Sequence, residues 1–136
     1  MNGPMIEFHL DAGSGLPPYQ QLVRQVRHAL RLGLLREGDQ LPTVKEVVGR
    51  LAINPNTVLK AYRQLEHDGL VAARPGVGTF VTATLGDGSF AAHGPLRQQL
   101  QRWLANARRA GLDDESIEAL FTTTFRATAE GEEDIA

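Results

Sequence analysis

QLPTVKEVVGRLAINPNTVLKAYRQLEHDGLVAARPGVGTFV, residues 40–81, decides the fold of this 136-residue chain. Thr43 with Glu46 three positions on is the pattern in which two side chains satisfy the orphan N–H groups of a helix's first turn. Val44, Val47, Val48 and Leu51 then recur at helical spacing. That helix is short, and Gly49 inside it costs about 1 kcal/mol relative to alanine. A second helix starts almost at once, with Asn54 as N-cap and Pro55 in the first turn, where a missing N–H costs nothing. Val58, Ala61, Tyr62 and Leu65 make its buried face. At about 100° per residue, the opposite face carries Asn56, Lys60, Arg63 and His67. Asp68 and Gly69 stop it. Residues 70–74 and 79–82 predict two strands around Pro75-Gly76-Val77-Gly78, a hairpin with flexible turn residues. Short helix, tight turn, helix, hairpin is the order of a winged helix-turn-helix.

Outward from this stretch, residues 5–10 (MIEFHL) alternate apolar and polar and predict a short strand. Pro17 and Pro18 open a helix in which Tyr19, Leu22, Val23, Val26, Ala29 and Leu30 form one apolar stripe. Arg24, Arg27 and Arg31 lie off that stripe. Downstream, residues 83–94 are rich in Gly, Ala, Ser and Thr and read as a linker. Pro95 starts a helix with Leu96, Leu100, Trp103, Leu104 and Ala107 on one face. Gly111 ends it, and Asp113 caps another helix, with Leu112 and Ile117 as a hydrophobic staple. Ile117, Leu120, Phe121, Thr124 and Phe125 form the apolar face of this last helix.

The fold class expected is therefore α+β, mainly α. A winged helix-turn-helix domain spans residues 1–82, a linker 83–94 and a C-terminal two-helix region 95–128, with an acidic tail at 129–136 expected to be disordered. A lone two-helix hairpin buries too little surface to be stable. It must pack on the first domain or pair with its own copy. We expect the second, through Leu96, Leu100, Trp103, Leu104, Leu120, Phe121 and Phe125, because a two-fold protein matches a palindromic site.

Net charge is −2, yet residues 17–82 carry nine Lys/Arg against five Asp/Glu. Local field, not net charge, attracts a polyanion. A major groove admits one α-helix whose side chains read base edges. Asn56, Lys60 and Arg63 offer such groups, and Thr57 at the helix start can meet a phosphate or a thymine methyl. The free N–H groups of that first turn are expected to form a phosphate site. Gly76 lets the backbone of the wing approach a groove closely, and Arg74 adds charge.

Residues 40–81 resemble the DNA-binding domain of the GntR family. The matching signatures are Leu41-Pro42-Thr43, Asn54-Pro55-Asn56-Thr57-Val58, Ala61-Tyr62 with Leu65-Glu66, Gly69-Leu70-Val71, and Arg74-x-Gly76-x-Gly78-Thr79-Phe80-Val81. Upstream, Pro18-Tyr19-x-Gln21 looks like the family's first helix, so the likeness covers residues 6–82. With only about 50 residues after the wing, the chain is similar to the YtrA subfamily. That resemblance implies a short repressor, dimeric through two C-terminal helices, acting on double-stranded operator DNA. It implies DNA-binding roles for Thr43, Lys45, Asn54, Asn56, Thr57, Lys60, Arg63, Arg74 and Gly76. Lys45 stands where arginine is more usual, and Pro55 and Leu59 replace basic residues at the start of the recognition helix, so base reading shifts to Asn56 and Lys60. Ala52 stands where a turn glycine is usual, which strains the chain if that backbone is left-handed.

Other classes fit poorly. With no cysteine, disulfide, zinc-thiolate and thiol chemistry are excluded. No phosphate-binding glycine loop or G-x-S-x-G is present, and His9, His28, His67 and His93 lack metal-ligand spacing. The expectation is a cytoplasmic non-enzyme without cofactor, metal or membrane span. Its rival is a winged helix that docks on protein and never touches DNA. Any small-molecule effector is expected near Trp103 and Phe121.

Overall fold

The computed structural model of the chain describes residues 6–86 and 93–135, which fall into two compact units, Met1–Ala91 and Ala92–Ala136. In the first unit, α1 (Pro18–Arg31) begins on proline and turns Leu22, Val26, Ala29 and Leu30 inward. α2 (Val44–Leu51) starts at the expected capping box. The Thr43 hydroxyl accepts from the Glu46 N–H and the Glu46 carboxylate accepts from the Thr43 N–H, both at 3.1 Å. α3 (Pro55–His67) is capped by Asn54 and buries Val58, Ala61, Tyr62 and Leu65. β1 (Val71–Arg74) and β2 (Gly78–Val81) pair antiparallel, Val71 opposite Val81 and Arg74 opposite Gly78. Residues 38–41 dress the open edge of β2: the Leu41 N–H donates to the Thr79 carbonyl and the Val81 N–H to the Asp39 carbonyl, each at 2.8 Å.

α3 packs on α1, α2 and β1. One core results, in which Leu22, Val26, Leu30, Val58 and Leu65 are fully buried. Each such side chain contributes about 1.5–3 kcal/mol by leaving water. Tyr62 adds a polar tie. Its ring is buried and its hydroxyl donates to the Pro42 carbonyl at 2.5 Å, joining α3 to the entry of α2. Burial, reinforced by the Glu46 charge, pushes its pKa upward, so the donor proton is retained.

Residues 6–10 do not form the strand that their alternation predicts, and Met5 lies outside the described residues. Phe8 is buried and Ile6 and Leu10 are half-buried against the core, which explains the apolar spacing. Two glutamines replace the missing ladder. The Gln25 amide accepts from the His9 N–H at 3.1 Å and donates to the His9 carbonyl at 2.7 Å. Buried Gln21 accepts from the Asp11 N–H at 2.8 Å and donates to the Asp11 and Leu16 carbonyls. A side-chain amide carries the donors and acceptor of a peptide unit and can stand in for one.

The linker expected over 83–94 is narrower at both ends. Ala83 and Leu85 pack on the core and α4 starts at Gly94, while residues 87–92 lie outside the described residues. The second unit is a hairpin of α4 (Gly94–Arg109) and α5 (Asp114–Ile135). At the end of α4 the Gly111 N–H donates to the Arg108 carbonyl and the Leu112 N–H to the Ala107 carbonyl, closing its orphan acceptors. Asp113 then caps α5, accepting from the Ser116 N–H at 2.8 Å. Hydrogen bonds from the Ser116 side chain and backbone hold its carboxyl below the usual carboxylate range. Ile117 is buried and Leu112 half-buried, as a staple requires. The segment 129–136, expected as a disordered tail, is instead helical through Ile135, in keeping with its alanines and glutamates, which are good helix formers.

α1 and α3 both end beside a glycine at positive φ, Gly33 and Gly69, whereas α2 ends on Ala52 at φ 53° and ψ 45°. The left-handed region costs a Cβ-bearing residue about 1–2 kcal/mol. Part of that returns as unfolded-state entropy when glycine replaces it. Ala52→Gly is therefore expected to raise stability by about 0.5–1 kcal/mol in chemical denaturation. A destabilised variant would show that Ala52 carries no such strain.

Candidate nucleic-acid interface

α3 faces the core with Val58, Ala61, Tyr62 and Leu65, and leaves Asn56, Arg63 and His67 exposed on the opposite side. Two contacts define what borders that exposed face. The Lys60 ammonium lies 4.0 Å from the centroid of the Tyr19 ring on α1. On the other flank of α3, the Glu66 carboxylate accepts from the Ala73 N–H of β1 at 3.2 Å. At about 100° per residue, Lys60 and Glu66 fall on opposite sides of the Asn56–Arg63 line. The exposed face is thus bordered by α1 on one side and by the β-hairpin on the other.

The start of α3 is capped by Asn54, as its sequence predicts. Asn54 Oδ1 accepts from the Asn56 N–H at 2.8 Å, and the Asn54 carbonyl accepts from the Thr57 N–H at 3.0 Å. Of the first-turn N–H groups expected to meet a phosphate, those of Asn56 and Thr57 are thus bonded within the chain. This end of α3 offers the partial positive charge of a helix N-terminus, with those two donors already engaged. The Asn56 side chain stays exposed, with one acceptor and two donors to offer.

The wing projects bare backbone. Pro75, Gly76 and Val77 are exposed, Gly76 has φ 76°, and no atom lies within 4 Å of where its Cβ would be. Arg74 is held 4.6 Å from the centroid of the Phe80 ring, which keeps its cation on the hairpin. Gln40 braces the turn: its Nε2 donates to the Val77 carbonyl at 3.3 Å, and a Cβ on Gly78 would collide with that same nitrogen.

Of the nine expected contacts, Asn56, Lys60 and Arg63 thus stand on the α3 face, and Arg74 and Gly76 on the wing. Thr57 is half-buried beside Asn56, and Lys45 is exposed in the first turn of α2. Thr43 and Asn54 use their side-chain oxygens as helix caps. The sequence reading missed Tyr19, Glu66 and Gln40 as supports. Tyr19 sat within the apolar stripe of α1, and nothing local marks a side chain that bonds a distant segment.

The second unit, taken by itself, presents apolar surface. Leu100, Trp103, Leu104, Ile117 and Phe121 line an open groove of about 300 Å³, which brings the expected Trp103 and Phe121 together. Leu96 and Phe125 are 65% and 66% exposed, Leu120 is exposed, and Phe121 stacks on Phe125 at 5.9 Å. Among the described residues no cluster of His, Asp or Glu can hold a metal ion, and no helix is long and apolar enough to cross a membrane.

Residues 9–81 match the family model for bacterial regulatory proteins, gntR family. The chain is 32% identical over 112 residues to the HTH-type transcriptional repressor YtrA of Bacillus subtilis (strain 168), spanning 79% of this chain and 84% of that protein. Among solved structures it is similar to YtrA from Sulfolobus acidocaldarius, a GntR-family transcription factor. That likeness has a TM-score of 0.52 and 29% identity over 71% of this chain and 96% of the other. It is also similar to a transcriptional antiterminator from Listeria monocytogenes EGD-e, with a TM-score of 0.56 and 28% identity over 88% and 90% of the two chains.

The wing's dependence on Gly78 is open to test, because its φ of 148° and its closeness to Gln40 both disfavour a side chain. Gly78→Ala is expected to cost about 1–3 kcal/mol and to speed hydrogen exchange at the Leu41 and Val81 amides. Unchanged protection there would mean that the wing does not lean on residues 38–41.

Proposed function

The chain belongs to the gntR family of bacterial regulatory proteins and is a DNA-binding transcription regulator; from that premise we propose that it is a cytoplasmic repressor that binds a palindromic operator as a homodimer. The observation that carries this reading is the exposed face of α3, bordered by the wing and by α1. That face enters the major groove. Asn56 is suited to the donor–acceptor pair on an adenine edge, and Arg63 to a guanine or a phosphate. Lys60 leans on Tyr19, a contact worth about 0.5–1 kcal/mol at an exposed site, so an anionic or acceptor partner can draw it away. Lys45 meets phosphate as a point charge. Gly76 brings the wing backbone to the adjacent minor groove, with Arg74 beside it.

The second copy is proposed for the C-terminal hairpin. Ile117 is its one buried large hydrophobic among the described residues, while Leu96, Leu100, Leu120, Phe121 and Phe125 remain exposed. A contiguous apolar surface of this kind on a small helical hairpin marks an interaction site. A second hairpin covers it with matching side chains and places two reading helices on one duplex. Linked binding of two half-sites multiplies affinity by about 10²–10⁴. Such a dimer represses by occupying the promoter. A small apolar effector would enter the groove at Trp103 and Phe121 in competition with the partner copy.

Selection from a random duplex library with the full chain, followed by fluorescence anisotropy across salt, tests the reading. It predicts an enriched palindrome and an affinity that falls by about 10³–10⁵ between 50 and 200 mM salt, as expected for ~6–10 phosphate contacts. Asn56→Ala should lower discrimination at one position of each half-site by about 1–3 kcal/mol while leaving binding to scrambled DNA unchanged. A flat salt response with no enriched sequence would favour a docking domain for protein.

Dimerisation is checked separately by sedimentation. The wild type is expected to be dimeric, and Leu100→Asp with Phe121→Asp monomeric and weaker on DNA. A monomeric wild type contradicts the assignment of this surface.

A further inference from the structure

Beside the reading face lies a row of cations that base recognition does not use. Arg24, Arg27 and Arg31 project from one flank of α1 into a cleft of about 460 Å³ shared with Gln64 and Asp68 of α3. Their spacing of three and four residues spreads the charges over about 10 Å of helix. Elsewhere, Arg50 lies 3.2 Å from Glu7 and Arg108 lies 3.4 Å from Asp114. Among the described residues, Arg24, Arg27 and Arg31 form no such ion pair. Asp68, the carboxylate in the cleft, instead accepts from the Gln64 amide at 3.0 Å.

We infer that this row binds the phosphate backbone of the duplex beyond the base-read half-site, on the side of α3 opposite the wing. The inference rests on the DNA-binding reading above. A single phosphate or carboxylate cannot span the row, whereas successive phosphates of one strand can. Continuity selects DNA over an acidic protein. Tyr19 lines the same cleft and carries Lys60 of α3 over its ring, so this cleft links the arginine row to the reading face. Contacts of this kind fix position and strengthen binding without carrying sequence information. The wing and the α1 row then grip the duplex on opposite sides of one helix.

The test uses the full chain and the palindrome recovered by selection, in duplexes with short flanks and with flanks extended by a full helical turn. Wild type is expected to bind the long duplex more tightly, with a slope of log affinity against log salt steeper by about 2.7, or roughly 0.9 for each of three phosphates. In R24Q/R27Q/R31Q that difference should vanish while affinity for the short duplex holds, which also shows that the variant is folded. The charge-matched R102Q/R109Q/R126Q should keep the wild-type difference. Three results overturn the inference: no flank effect in the wild type, a flank effect that survives in R24Q/R27Q/R31Q, or its equal loss in the charge-matched control. Tight binding to the short duplex together with any of these leaves the operator reading standing, whereas failure to enrich any palindrome removes both.

Discussion

The rest of the first unit hangs on the burial of one side of α3. Val58, Ala61 and Leu65 are fully enclosed, so the rotation of this helix about its axis is fixed. Because a helix turns about 100° per residue, fixing the inner face also fixes Asn56 and Arg63 on the outer one. α1, α2 and β1 all pack on α3. The tie from Tyr62 to Pro42 sets where α2 enters, and the bond from Ala73 to Glu66 sets where the wing leaves. A core substitution that rotated α3 would therefore misaim the reading face even if the protein still folded.

Around this helix, side chains do much of the bonding that backbone ladders do in larger domains. Gln25 and Gln21 hold the N-terminal segment, Gln40 the turn of the wing, and Asn54 the start of α3. This economy leaves fewer groups for contact with a partner. Two expected contact residues, Thr43 and Asn54, use their side-chain oxygens as helix caps. The reading surface proposed above is small, chiefly Asn56, Lys60 and Arg63 with the bare backbone at Gly76. On that proposal, affinity has to come in part from the proposed second copy and the proposed phosphate contacts.

Much of this was legible in the sequence because its signals are local. The Thr43–Glu46 pair, Asn54-Pro55 and Asp113 each mark a helix start within a few residues, and apolar spacing gives the buried faces. Ala52 could be flagged because one residue type at one position tells against a left-handed turn. Several of the misreadings concern distant partners. Residues 6–10 alternate like a strand because Phe8 enters the core, but what pairs with their backbone is Gln25, sixteen residues from His9. Ala83 and Leu85 look like linker by composition, yet they lie against the core. Lys60 was legible as exposed but not as resting on Tyr19, since that contact exists only once α1 and α3 have packed.

Whether the α3 face and the wing read DNA together can be measured by amide chemical-shift mapping of the full chain titrated with the selected operator. Asn56, Thr57, Arg63, Arg74 and Gly76 are expected to shift together at one stoichiometry, while the buried amides of Val26 and Leu30 hold still. Shifts confined to the C-terminal hairpin, or a wing that stays silent while α3 responds, would contradict that joint reading.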